Sequence, residues 1–322
     1  MQHLDLQVIE RALQWANQGQ PLWLCTVLAT FGSAPREPGA MMVACSAQEH
    51  TGSLSGGCVE EDFLTRLHNG EFSDPVQVIH YGGGEGASQV QLPCGGRLDV
   101  LVEYLKPNES TLTHLEVIHA TLLGRHPLIR RIKLDGSGRN LLPADAPGPA
   151  VTRDAHTVAI RIGPALRLVI AGISAIATPC ALFATSLGFE VIVCDPRDDI
   201  RRRFAAPGVE VQAVHPATFI ASGGCHAGTA VVALTHDPRL DDLVMMEAVR
   251  TDAFYIGVMG STANSHKRAE RLQRSGGLSE AQLQRITMPI GLALGSKTPA
   301  EIALAVMADI VRTHRGKHRQ EL

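Results

Sequence analysis

Leu166 to Gly172 read LRLVIAG, an apolar run without polar alternation that ends on glycine. A strand of that kind is buried on both faces, as in a parallel sheet covered by helices on either side. Three further runs share its character: FEVIVCDP, which contains Asp195, TAVVALTHD (Thr229 to Asp237) and FYIGVMGS (Phe254 to Ser261). Helical segments separate them, the first through Ala175 to Leu187. Regular alternation of strand and helix predicts a doubly wound, Rossmann-like parallel sheet. The last helix carries its own start signal. Thr298 at the N-cap, Pro299 in the first position and Glu301 in the third form a capping box.

Toward the amino terminus the pattern changes. A helix with Leu6, Ile9, Leu13 and Ala16 near helical spacing precedes PLWLCTVLATFGS, AMMVACS, PVQVIHY and LDVLVEY. These four strand-like runs are separated by glycine- and proline-rich turns, with a helix from Val59 to Asn69 among them. Ser110 is the expected cap of a helix over Thr111 to Leu123, and HPLIRRIKL, DGSG and RNLL together read as a hairpin. The first half is therefore an N-terminal mixed α/β domain. PADAPGP (Pro143 to Pro149) has linker composition, so the expected division is residues 1–150 and 151–322.

A chain of 322 residues has room for two cores. Its 45% apolar and 19% charged content excludes a disordered chain and a coiled coil. The net charge of −3 gives no global attraction to nucleic acid or to an anionic membrane. Aromatic residues, at 4%, are too few for a base-stacking platform. No run is apolar and long enough to span a bilayer, and no secretory signal is visible at the amino terminus. Seven cysteines, an odd number without CxxC or zinc spacing, fit free thiols in a reducing cytoplasm.

The residues equipped for chemistry lie on glycine loops. Gly56-Gly57-Cys58-Val59-Glu60 puts a cysteine at a helix entry, where the helix N-terminus favours a thiolate over a thiol. Such a sulfur can ligate a soft metal, carry a persulfide or attack an electrophile. The alternative is a plain buried thiol. Leu92-Pro93-Cys94-Gly95-Gly96 repeats the theme, and two such loops can converge on one pocket. The stretch from Ser33 to Arg36 offers a guanidinium suited to a phosphate or carboxylate, or forms a surface turn. Cys25, Cys45, Cys180 and Cys194 lie in apolar segments and read as core. Cys225, beside His226 in SGGCHAG, reads either as a site or as a turn.

In the second half, the row from Gly172 to Ala177 half-matches the dinucleotide fingerprint G-x-G-x-x-G/A. Gly172 and Ala177 fit, but Ser174 replaces the glycine that a pyrophosphate would approach. Asp195 ends the second strand, where a ribose-binding acid belongs. His236 and Gly260 end the third and fourth strands, on the edge that faces the ligand crevice. His236 is a candidate proton carrier there, or an ordinary member of a helix-capping turn. His266, Lys267 and Arg268 follow with positive charge for a phosphate-bearing ligand.

Taken in order, GSAPREPGAMM, GSLSGGCVEEDF and LPCGGRLDVLVE resemble the amino-terminal domain of the xanthine dehydrogenase accessory factor family (XdhC/CoxI). LVIAGISAIA, FEVIVCDPR, VALTHDPRLDD, FYIGVMGS and MPIGLALGSKTPAEIALAVMADIV resemble its Rossmann domain, and the resemblance runs from about Trp23 to Ile310. It implies a maturation chaperone rather than a turnover enzyme. Such a protein binds molybdenum cofactor, as molybdopterin or a dinucleotide form. It supports sulfuration of that cofactor by a cysteine desulfurase and delivers it to an apo molybdenum hydroxylase.

The resemblance matches Cys58 to the family's cofactor-binding cysteine, a direct or indirect neighbour of molybdenum. Cys94 matches its second glycine-flanked cysteine. Gly56, Gly57, Glu60, Gly95, Gly96 and Ser33 belong to the same cofactor-binding loops, with Arg36 for the phosphate. A cytoplasmic homodimer without nucleic-acid or membrane partners is implied. Two departures, Ser174 in the fingerprint and Ala293 where an acid is common, weigh against NAD(P). If a nucleotide binds, its residues are Gly172, Ser174, Asp195, His236 and Gly260. Two rival readings stay open: an NAD(P)-binding oxidoreductase, and a catalytically silent assembly scaffold.

Overall fold

The fold is that of a computed structural model, which describes residues 3–31, 36–82, 96–144, 148–235 and 237–318. The chain divides into two compact units, Leu4–Pro164 and Ala165–Leu322.

The first unit begins with α1 (Leu4–Asn17), β1 (Leu22–Phe31), β2 (Met41–Ala44), β3 (His50–Gly52) and α2 (Cys58–His68). It continues through β4 (Val76–Tyr81), β5 (Arg97–Leu105), α3 (Glu109–Leu122), β6 (Leu128–Lys133), β7 (Arg139–Pro143), β8 (Val151–Arg153) and β9 (Thr157–Ile162). Strands β1 to β5 form an antiparallel sheet in the order β3-β2-β1-β5-β4, and the last four form a second sheet, β7-β6-β9-β8. The larger sheet is covered on both faces. Cys25, Val27, Ile79, Tyr81, Leu98 and Val100 pack on one side with Val59 and Phe63 of α2. On the other side Leu22, Leu24, Leu101 and Leu105 pack with α1, α3 and the inward residues Ile132, Val158 and Ile160 of the smaller sheet. Burial on two sides explains why β1 and β5 carry so few polar residues.

Three sequence expectations change here. The cap of α3 is Asn108, whose side chain accepts from the Thr111 amide at 2.9 Å. Ser110 lies inside the first turn. The Pro143–Pro149 stretch joins β7 to β8 within one sheet, and β9 pairs with β6 from Leu128↔Ile162 to Lys133↔Thr157. That ladder holds residues 151–162 to the first unit, so the division falls after Pro164. Cys45 is only half-buried, and its thiol donates to Glu49 at 3.1 Å.

The second unit contains β10 (Arg167–Ala171), α4 (Ala177–Ser186), β11 (Glu190–Cys194), α5 (Asp198–Arg201), β12 (Val209–Gln212), α6 (Pro216–Phe219) and β13 (Thr229–Ala233). It closes with α7 (Pro238–Ala248), β14 (Tyr255–Val258), α8 (Thr262–Arg274), α9 (Glu280–Gln284), β15 (Ile286–Thr287) and α10 (Pro299–His314). Its strands pair in parallel, in the order β12-β11-β10-β13-β14-β15. This is the doubly wound Rossmann arrangement, with its crevice where the order reverses between β10 and β13. Leu168 and Ile170 face α4 and α10, while Val169 and Ala171 face α7. Thr298 caps α10 in the expected box with Glu301. Among the described residues no helix is long and apolar enough to cross a membrane.

Candidate functional site

Cys58 is the first residue of α2 and is half-buried against the core beneath that helix. The loop before it is organised by Glu60. The Glu60 carboxylate accepts from Ser53 Oγ (2.7 Å) and from the amides of Leu54 (2.7 Å), Ser55 (2.9 Å) and Gly56 (3.1 Å) on one oxygen. On the other it accepts from Ser55 Oγ (2.8 Å) and the Gly57 amide (2.9 Å). Burial opposes its ionisation, yet the donors from Ser55, Ser53 and Gly56 outweigh that and hold the carboxyl far below the usual carboxylate range. Gly56, at φ 96°, supplies the left-handed turn that lets the chain curl around the acid.

Two expectations are affected. The glycine-loop amides do not form an open cradle for a ligand phosphate, because the chain's own carboxylate fills it. Glu60 acts by positioning the loop, with both oxygens already occupied. Arg36, the expected phosphate contact, lies 3.7 Å from Asp5 of α1. That helix covers the face of the sheet opposite α2, and the buried Nε of Arg36 has no hydrogen-bond partner among the described residues.

The second glycine-flanked cysteine, Cys94, lies outside the described residues, as do Ser33 and Gly95. The two ends of its segment are described. Gly82 and Gly96 are both buried, and a Cβ on Gly82 would come within 2.2 Å of the Gly96 carbonyl oxygen. Tyr81, just before Gly82, packs in the same core as α2. Burial raises its hydroxyl pKa, and the charge of Asp62, one helical turn from Cys58, adds to the shift. The segment carrying Cys94 therefore leaves and rejoins the sheet at a strand end whose neighbouring tyrosine faces the helix that Cys58 opens.

The other described thiols are poor nucleophiles. Burial pushes Cys25 well above its usual value, Cys180 and Cys194 to about 12, and Cys225 to about 11. Cys45 rises to about 11 through burial and its Glu49 partner. His226 accepts the Gly228 amide at Nδ1 (3.1 Å), the geometry of a turn residue. Among the described residues no three His, Cys, Asp or Glu side chains cluster as a metal site.

At the crevice of the second unit, internal contacts occupy the expected nucleotide residues. Gly172, at φ 82°, is required by the chain itself, since a Cβ there would lie 2.1 Å from Thr235 Cγ2. Ser174 Oγ accepts the Ile176 amide at 3.2 Å. Asp195 is fully buried and accepts the Ile173 amide (2.7 Å), the Arg197 amide (2.9 Å) and the Arg197 guanidinium (2.9 and 2.6 Å). Burial works against its charge, but Arg197 and the two amides lower its pKa nonetheless. Gly260 has ordinary spacing from Arg268. Arg268 itself turns inward, to Asp241 (3.2 Å), Asp242 (2.9 Å) and the Met259 carbonyl (2.8 Å), which removes it as a phosphate contact. His236 lies outside the described residues.

Comparison with known proteins supplies the context. Residues 15–79 match the model of the XdhC and CoxI family, and residues 168–310 match that of the XdhC Rossmann domain. A molybdenum cofactor insertion chaperone of Escherichia coli, PaoD, is 26% identical over 313 residues, covering 96% of this chain and 89% of that protein. A Bacillus subtilis protein whose name makes it a probable subunit of xanthine dehydrogenase is 27% identical over 321 residues, covering 91% and 93%. Among solved structures, one described as a xanthine dehydrogenase from Bacillus halodurans superposes with a TM-score of 0.72 at 23% identity, over 99% of this chain and 97% of that one. That likeness is one of fold.

Proposed function

The chain belongs to the XdhC and CoxI family, and on that footing we propose that it is an accessory protein that binds molybdenum cofactor during maturation of a molybdenum hydroxylase. The observation that carries this reading is Cys58, a half-buried thiol at the first turn of α2, reached through a loop locked by six hydrogen bonds to Glu60. A soft sulfur donor suits a sulfur-rich molybdenum centre. A loop already ordered before the cargo arrives loses little entropy on binding.

In this reading the first unit holds the cofactor at Cys58, with Cys94 on the neighbouring segment. A cysteine desulfurase supplies sulfur there, and the loaded protein hands the cofactor to the apo hydroxylase in the cytoplasm, acting as a homodimer. The second unit serves assembly. The names of the Escherichia coli and Bacillus subtilis relatives support the maturation role. Hydride transfer on NAD(P) finds less support, because Asp195 already spends its acceptors on Ile173 and Arg197.

The test is elemental analysis of protein purified from cells with active cofactor synthesis. Wild-type protein should carry molybdenum and Cys58→Ala should not. Equal molybdenum in both would remove the thiol from the mechanism.

A further inference from the structure

A cleft of about 510 Å³ opens between α3 and β7, within the size range of small-molecule sites. It lies in the first unit on the face of the large sheet away from α2, so it is separate from Cys58. Ser110, Thr113, His114 and Val117 line it from α3, and Arg139 and Leu141 from β7.

The two arginines around this cleft are unequally paired. Arg130 on β6 is fully buried, pairs with Glu103 on β5, and donates from Nε to His114 Nε2 at 2.9 Å. His114 is neutral: burial, aided by Arg130 and Arg139, lowers it to about 2. Its Nε2 accepts, so Nδ1 carries the proton. Arg139 donates from Nη2 to Thr111 Oγ1 at 2.9 Å and makes no ion pair among the described residues. Glu103 thus pairs with Arg130 alone, while Arg139 feels its charge without contact, and the buried Nη1 of Arg130 has no hydrogen-bond partner among the described residues. Glu109 also lines the cleft, but it is exposed at the first turn of α3, where the helix N-terminus favours it, and it does not pair with Arg139. An uncompensated positive charge in a half-buried site is costly unless an anion joins it.

We propose that the α3–β7 cleft binds a small organic oxyanion, a carboxylate or phosphate head on an apolar body. The Arg139 guanidinium holds the head as a planar fork. The Ser110 and Thr113 hydroxyls stand by as further donors, and Val117 and Leu141 flank the body. Nothing in this site depends on the cofactor-binding reading.

Calorimetric titration of the full-length protein with benzoate, phenyl phosphate and benzamide tests it. Benzamide has the shape of benzoate without its charge. At least one anion should bind about tenfold more tightly than benzamide, the stronger of the two identifying the head group. Arg139→Gln should abolish that preference, and Cys58→Ala should leave it intact. Anions no tighter than benzamide, or an unchanged preference in Arg139→Gln, would overturn the proposal. If Arg139→Gln fails to fold, phenylglyoxal labelling of wild-type protein gives the answer. The preferred anion should slow modification of Arg139 but not of exposed Arg131. Equal protection of both, or of neither, would sink the idea.

Discussion

Gly57 donates its amide to Glu60 at 2.9 Å, so the residue before Cys58 is held by the residue two places after it. Glu60→Gln puts an amide group among hydroxyl and backbone donors and leaves some of them unmet. The expected cost is about 1–3 kcal/mol in urea unfolding, with faster alkylation of Cys58 as the loop loosens. Because the folded carboxyl lies below its unfolded value of 4.5, its stabilisation is complete above that pH and is lost as pH falls beneath it. A variant as stable as wild type at pH 7 would contradict this account of the loop.

Cys58 should react first. The other described thiols are shifted to about 11, about 12 or well above the usual value, and three of them are fully buried. Brief iodoacetamide treatment at pH 7.5 followed by peptide mass spectrometry should find label on Cys58 ahead of Cys25, Cys45, Cys180, Cys194 and Cys225. Earlier labelling of Cys45 or Cys225 would contradict the ranking.

Gly172 and Thr235 are coupled by contact, since a methyl on the glycine would stand 2.1 Å from Thr235 Cγ2. Gly172→Ala should cost more than about 2 kcal/mol, combining overpacking with left-handed backbone strain. Thr235→Ser removes the opposing methyl, so the double variant should recover part of that loss in a thermodynamic cycle. Strict additivity would show that strain at φ 82° accounts for the whole effect.

His226 supplies a pH dependence. Burial, then Arg167, lowers it from 6.5 to about 4, and its Nδ1 accepts a backbone amide only when unprotonated. Between those values the unfolded chain binds the extra proton, so stability should rise with pH from about 4 to 6.5 and level off above. His226→Asn keeps an acceptor without the titration. Urea midpoints at pH 4.5 and 7 should therefore differ less in the variant than in wild type.

The parallel sheet was readable because its strands are continuous apolar runs, and Thr298-Pro299-Ala300-Glu301 fixed the start of α10 through short-range rules. Membership of β8 and β9 in the first unit was not readable. Turn-forming composition at Pro143–Pro149 is the same whether it joins two strands or two domains, and the deciding pairing, Leu128↔Ile162, is long-range. The candidate site divides in the same way. Cys58 at a helix entry follows from local spacing. What Glu60, Arg36, Asp195 and Arg268 do depends on partners that only the fold supplies. Glu103, Arg130 and Arg139 sit on three different strands, and no spacing in the sequence announced the charge interaction among them.

Gly82 and Gly96 make a close stem, so close that a side chain at Gly82 would strike the Gly96 carbonyl. Below the stem, β4 and β5 stay in register from Val76↔Glu103 to Tyr81↔Leu98. Insertions or deletions between the two glycines should leave that alignment untouched.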